Sequence, residues 1–204
     1  GDTPLTAEEI MELDRYCRAR HIELIPSLSS FGHMYRILST KTCCDLCELP
    51  DSEKIPFSYT YAGDHHTLNV SNPRAVDFIK GLITEYRALF TSKKFNICCD
   101  ETFDLGKGRS KALADEKGEH SLYMAHVVEL CRWLLSQGVT PMFWGDIIWR
   151  HPEAYAEIPE GVICLNWGYL PEQRENEVRD LAQMGATQYV CPGVCTWNRW
   201  LPLT

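Results

Sequence analysis

Apolar positions recur along this chain in two alternating rhythms. Ile10, Leu13 and Cys17 fall at helical spacing behind Thr6 and Glu9. Thr-x-x-Glu ahead of an apolar stripe is a capping box, so a helix is predicted to run from there to about His21. Residues 22–28, Ile-Glu-Leu-Ile-Pro-Ser-Leu, then form a short apolar run of strand length. Asn72-Pro73 predicts a second helix, with Asn as N-cap and Pro at the first helical position. Val76, Ile79, Ile83, Tyr86 and Phe90 mark its buried face. Residues 95–99 are a second strand. Tyr123, Val127, Leu130 and Leu134 give a helix stopped at Gly138. Strands at 141–144 and 162–166, a helix at 172–184 closed by Gly185, and a strand at 188–191 complete the series. Residues 30–67 keep neither rhythm and are predicted to be a long loop, of the kind usually given over to function or mobility.

Strands separated by helices imply parallel pairing through βαβ units. An open doubly wound sheet and a closed barrel both satisfy that pattern. The residues at the strand ends favour the barrel. Polar and aromatic side chains stand after nearly every strand: Ser29 to His33, Asp100-Glu101, Trp144-Gly145-Asp146, Asn166 to Tyr169, and Thr196-Trp197-Asn198. A barrel gathers all its strand ends around one mouth, whereas an open sheet uses only those beside a switch point. A full barrel takes roughly 250 residues, and this chain has 204. The expectation is therefore an α/β fold of the (β/α)₈ TIM-barrel type, incomplete, with about five β/α units. Residues 1–204 would form one partial catalytic domain. Its exposed edges would invite self-association or a covering segment, with residues 40–66 the least ordered.

Composition adds mainly exclusions. The formal net charge is -8, and the chain is 45% hydrophobic and 24% charged. That balance disfavours nucleic acid and anionic membrane as partners. Lys107, Arg109 and Lys111 read as a solvated loop and helix start. No apolar run approaches the roughly 20 residues of a membrane span. Ten cysteines in a long, core-rich chain do not form a small secreted framework; Cys98 and Cys99 read as small buried hydrophobes, and the compartment is expected to be reducing, the cytoplasm. Cys43, Cys44 and Cys47 are the one group with a metal-like spacing, with His65 and His66 the nearest further ligands. Asn69-Val70-Ser71 matches a glycosylation sequon of the length that chance often supplies.

The sharpest chemical feature is Asp100-Glu101 at the end of an apolar strand. Adjacent carboxylates there repel, so one pKa must rise or one group must be paired. A cap on the next helix or a pair with Arg109 is the structural alternative. Neighbours on a strand point apart, which suits unequal roles. Glu101 would protonate a leaving oxygen while Asp100 orients a group on the substrate that attacks, as in substrate-assisted glycosidases.

The run 22–26 leading to Phe31-Gly32-His33 resembles the strand of glycoside hydrolase family 20 that ends in a Pro-Gly-His turn. Residues 95–101 resemble its next strand, which ends in an Asp-Glu pair. Residues 102–108 are similar to the hexosaminidase D-like branch. Trp144-Gly145-Asp146, Asn166-Trp167-Gly168-Tyr169 and Trp197-Asn198 match the order of the later strand ends. Phe31 replaces the family's usual proline, and Cys98-Cys99 replaces its glycine pair. The family's sugar-binding arginine would precede Gly1.

The resemblance implies a retaining β-N-acetylhexosaminidase acting on an N-acetylhexosamine-containing glycan through an oxazolinium ion. Asp100 would hold the acetamido N–H, and Glu101 would serve as acid and then base, with a pKa above that of an exposed Glu. Trp144, Trp167 and Trp197 would wall the sugar, and Tyr169 would bond the acetamido carbonyl. His33 would support the site, and Asp146 would hold a sugar hydroxyl or cap a helix. No metal or organic cofactor is implied. Two rivals stand beside this reading: a metal-dependent barrel hydrolase using His33, Asp100, Glu101 and Asp146, and a carbohydrate-binding or inactive barrel relative.

Overall fold

The computed structural model describes residues 3–51, 54, 67–169 and 175–193. Six α-helices and four strands are assigned among them. They are α1 (Ala7–Arg18), α2 (Tyr35–Leu38), α3 (Ala75–Arg87), β1 (Lys94–Asn96), α4 (Lys111–Lys117), α5 (Glu119–Ser136), β2 (Thr140–Trp144), β3 (Ile163–Gly168), α6 (Glu175–Gln183) and β4 (Thr187–Pro192). The strands form one sheet in the order β1-β2-β3-β4, and every pairing is parallel. Sequential order without reversal is what a barrel arc requires and a doubly wound sheet lacks. The fold is α/β, an incomplete (β/α)₈ barrel.

The predicted first strand is reduced to a bridge. Ser27 pairs in parallel with Asn96, Leu28 donates its N–H to the Asn96 carbonyl, and Asn96 donates to the Pro26 carbonyl. Pro26 has no N–H to give the ladder, and Ile22 stays exposed. β1 also ends earlier than its apolar run suggests. Cys98 and Cys99 adopt φ of 59° and 62°, outside the extended region. The sheet still reaches them, because Ile97 donates to the Met142 carbonyl and Trp144 to the Cys98 carbonyl.

Side-chain alternation sorts the two faces. Met142, Ile163 and Leu165 form a small inner cluster with Ile25, Trp144 and Cys191. Phe95, Phe143 and Cys164 join the main core on the opposite, helix-covered face. There they pack with Ile79 and Ile83 of α3 and with Tyr123, Val127, Leu130 and Leu134 of α5. This is the period-2 division of a barrel wall between interior and helix layer. The capping box of α1 forms as predicted, Thr6 and Glu9 bonding reciprocally. At α3 the N-cap is Arg74, two residues beyond the predicted Asn72, which instead closes a turn by accepting the Arg74 N–H. α4 has no counterpart among the predicted helices, because seven residues carry too little periodicity.

Part of the long loop is tied down. The Glu48 carboxylate is fully buried and accepts the N–H groups of Gly108 (2.9 Å) and Ser110 (3.0 Å). Arg109 spans back to the carbonyls of Cys47 and Leu49. Residues 44–51 and 102–110 therefore hold each other in place at the strand ends. Of the segment expected to be least ordered, residues 52, 53 and 55–66 lie outside the described residues. Asn69 is buried and its Oδ1 accepts both the N–H and O–H of Ser71, so the sequon is not presented as an acceptor.

Candidate active site

Successive side chains on a regular strand point to opposite sides. Asp100 and Glu101 do not, because the backbone around them has left the strand. Cys98, Cys99 and Glu101 all have positive φ, 48° at Glu101. The turn places both carboxylates on one imidazole. His33 Nε2 lies 3.2 Å from Asp100 Oδ2 and 3.2 Å from Glu101 Oε2. His33 itself has φ of 56°. Non-glycine residues in the left-handed region cost of order 1–3 kcal/mol each and cluster at functional sites. Four of them, at His33 and in the turn 98–101 that faces it, mark this as the worked part of the molecule.

The pairing that adjacent carboxylates demand is thus supplied by His33 and not by Arg109, whose guanidinium is committed to backbone carbonyls. Hydrogen bonds to Asp100 first and Glu101 second, aided by their charges, push the His33 pKa up to about 10 against the cost of burial. The imidazole is therefore protonated at neutral pH and bridges the two acids.

Close packing fixes the turn that carries His33. A methyl group on Gly32 would stand 2.2 Å from the Asp100 carbonyl oxygen and 3.1 Å from that of Glu101. Only glycine lets the two backbones approach so closely. Ser30 Oγ donates to the Ile97 carbonyl, and the buried Phe31 ring stacks on Tyr123 at 5.6 Å and meets His126 at 4.4 Å. Tyr123 in turn donates its hydroxyl to the Cys99 carbonyl at 3.0 Å. α5 thereby buttresses both the histidine turn and the carboxylate strand end.

A cavity of about 500 Å³ opens above these groups, lined by His33, Asp100, Glu101, Trp144, Trp167 and Tyr169. That size is ordinary for a small-molecule site. Six of the eight predicted site residues line it together. Trp167 and Tyr169 have ring centroids 5.1 Å apart, giving an aromatic wall. Trp197 lies outside the described residues. Asp146 is close but not in this wall. It is buried, and its Oδ2 accepts the backbone N–H of Glu101 at 3.1 Å. Burial pushes its pKa up to about 6, against the bond from Glu101 and with help from the charge of Asp100. The helix-cap reading of Asp146 gives way to a bond that fixes Glu101.

Trp149 escapes the sequence reading, and Asn166 figures there only as a strand-end residue with no role of its own. Trp149, in a 3₁₀ turn at Ile148–Arg150, donates Nε1 to Asn166 Oδ1 at 2.5 Å and packs on Trp167 at 5.4 Å. Asn166 also bonds Gln188. Trp149 carried no signal in the sequence beyond its nearness to Asp146. Among the described residues no group of three or more His, Cys, Asp or Glu has metal-holding geometry. That holds for Cys43, Cys44 and Cys47 as well, and His65 and His66 lie outside the described residues.

A barrel arc with adjacent acids at the strand ends and an aromatic pocket over them defines a glycosidase-type site. Residues 2–196 match the model for the catalytic domain of glycosyl hydrolase family 20, and the chain belongs to that family. It is 23% identical over 170 residues to hexosaminidase D of Bos taurus, covering 79% of this chain and 46% of the bovine protein. The chain thus spans about half the length of that relative. Flavobacterium johnsoniae chitobiase superposes with a TM-score of 0.73 at 20% identity, over 93% of this chain and 28% of its own. A mutant Streptomyces plicatus β-hexosaminidase in complex with its product GlcNAc superposes with a TM-score of 0.68 at 23% identity, over 94% and 35%.

Proposed function

We propose that the protein removes terminal β-linked N-acetylhexosamine with retention, by substrate-assisted catalysis. The observation that carries this is the pair of adjacent carboxylates turned to one histidine beneath an aromatic pocket. The acetamido oxygen attacks the anomeric carbon and expels the aglycone, giving an oxazolinium ion. Asp100 accepts the acetamido N–H and stabilises the positive charge that develops. Glu101 donates a proton to the departing oxygen and then takes one from the incoming water. His33 holds both acids in register. Trp144, Trp167 and Trp197 face the sugar, and Tyr169 bonds the acetamido carbonyl. Family membership and the GlcNAc product in the Streptomyces relative support this substrate class. A reducing compartment, the cytoplasm, suits ten cysteines in a long, core-rich chain.

The two acids are separable by kinetics on the intact gene product. Glu101→Gln should slow substrates with poor leaving groups most, because a good leaving group departs without protonation. Small anions such as azide should restore part of that loss. Asp100→Asn should slow acetamide attack whatever the leaving group. Each loss is expected to be at least about 10²-fold. Wild-type turnover of β-glucosides as fast as β-N-acetylglucosaminides would overturn the assignment, since a hydroxyl in place of the acetamide removes the nucleophile.

A further inference from the structure

We propose that Asp146 is a positioning residue for proton transfer: it grips the backbone of Glu101 and takes no part in holding the sugar. This role rests on the glycosidase reading above and assigns Asp146 a task within it.

Glu101 does not hold its own conformation. Its φ of 48° lies in the left-handed region, which a glutamate seldom adopts without external constraint. Three contacts grip its peptide groups. Gly32 packs against its carbonyl, the Phe103 N–H donates to that carbonyl at 2.9 Å, and Asp146 Oδ2 accepts its N–H at 3.1 Å. Only the last is made by a side chain. It is also the one side-chain hydrogen bond that Asp146 makes to another residue among the described residues.

The carboxylate stands where it is costly to keep. Asp146 is 7% exposed, and its Oδ1 is enclosed with no hydrogen-bond partner among the described residues. Burial pushes its pKa up to about 6, so it is ionised at neutral pH against a desolvation penalty. A residue needed only for packing would be apolar here. A hydrogen bond to an ionised acceptor is roughly twice as strong as one to a neutral acceptor. The charge therefore tightens the grip on a strained residue.

Asp146 is itself fixed from three sides. A methyl group on Gly145 would stand 2.7 Å from Cys164 Sγ and 2.8 Å from Trp149 Nε1, so the turn at the end of β2 is packed without slack. Gly145 donates its N–H to the Leu165 carbonyl and accepts that of Trp149. Ile148, two residues on, is fully buried. A group that positions another has to be immobile first. Asp146 is also absent from the wall of the cavity that Trp144, Trp167 and Tyr169 line, which separates it from the sugar. Losing its grip should let Glu101 relax, and a misplacement of about 1 Å at a reacting group can cost on the order of 10²-fold in rate.

The test uses two N-acetyl-β-glucosaminides of the intact gene product that share one glycone. Dinitrophenolate leaves without protonation, whereas methoxyphenolate needs the proton of Glu101. The quantity read is the ratio of kcat/KM, methoxyphenyl over dinitrophenyl, in which the folded fraction of each variant cancels. Asp146→Ala should lower this ratio at least about tenfold. Asp146→Asn keeps an oxygen for the Glu101 N–H without the charge, and its ratio should lie between those of wild type and Asp146→Ala. An equal loss on both substrates, with the ratio within about twofold of wild type, would overturn the role and place Asp146 on the glycone or in general packing. An asparagine variant no better than the alanine variant would also overturn it, because the N–H bond would then not be the contact that matters. A wild type that hydrolyses neither glycoside would remove the glycosidase reading itself, whereas the two preceding results would leave that reading intact.

Discussion

At the scale of single residues the site depends on backbone conformations that its side chains do not favour. Cys98 and Cys99 occupy the left-handed region that favours glycine, and Glu101 and His33 join them. The thiols have found local compensation. Cys98 Sγ sits 3.2 Å from Ser27 Oγ, and Cys99 Sγ sits 3.3 Å from Ser30 Oγ. Desolvation drives the Cys98 pKa up to about 11, so it is packing material and not a nucleophile. The strain makes a prediction. At ordinary positions glycine is less stable than alanine by roughly 0.5–1 kcal/mol. At position 98 the order should invert, with Cys98→Gly at least as stable as Cys98→Ala. Denaturant midpoints of the two variants check this, and a clearly lower midpoint for the glycine variant would show that the φ carries no strain.

At the scale of elements α5 does most of the positioning. Its buried face reaches the histidine turn through Phe31 and His126 and the carboxylate strand end through Tyr123. His126 is fully enclosed, and its Nε2 is 3.1 Å from the Ser30 carbonyl, which fixes the neutral ring with the proton on that nitrogen. Burial lowers its pKa to about 4. An unfolded histidine titrates near about 6.5. Between those values the unfolded chain binds the proton and the folded chain does not. This contribution to stability is therefore intact above about pH 6.5 and is lost as pH falls towards 4. His126→Gln should be less stable than wild type at pH 7, and the gap should narrow on acidification across that window. Urea midpoints measured from pH 7 to 4 read the effect. A gap that stays constant would mean that the ring is solvated.

At the scale of the whole molecule the described residues form an arc of sheet that ends on β4. Val190 on β4 is 51% exposed and Tyr189 is 41% exposed, although neighbouring β3 is buried almost throughout. β4 has a strand partner on one side only among the described residues. Unpaired strand edges with apolar side chains pair with other chains. A polypeptide of residues 1–204 should self-associate with rising concentration, and Val190→Lys should shift it towards monomer. Sedimentation equilibrium would show both effects. A wild-type polypeptide that stays monomeric throughout would show that this edge is covered.

The chain's own pattern determined the order of helices and strands, their parallel pairing and the gathering of polar residues at the strand ends. Those features arise from local periodicity and from the short reach of βαβ connections, and both are written along the chain. The Asp100-Glu101 pair and the aromatics Trp144, Trp167 and Tyr169 were legible for the same reason, since each stands at the end of an apolar run. Only the tertiary structure decided how these residues face one another. On a regular strand the two carboxylates would point apart. The left-handed turn at residues 98–101, held by Gly32 packing on the Asp100 carbonyl, brings both to His33. The same holds for Asp146 beneath the Glu101 N–H, for Trp149 against Asn166, and for Glu48 bracing a loop 60 residues away. Those contacts join segments far apart in the chain, and they depend on close packing that local spacing does not encode.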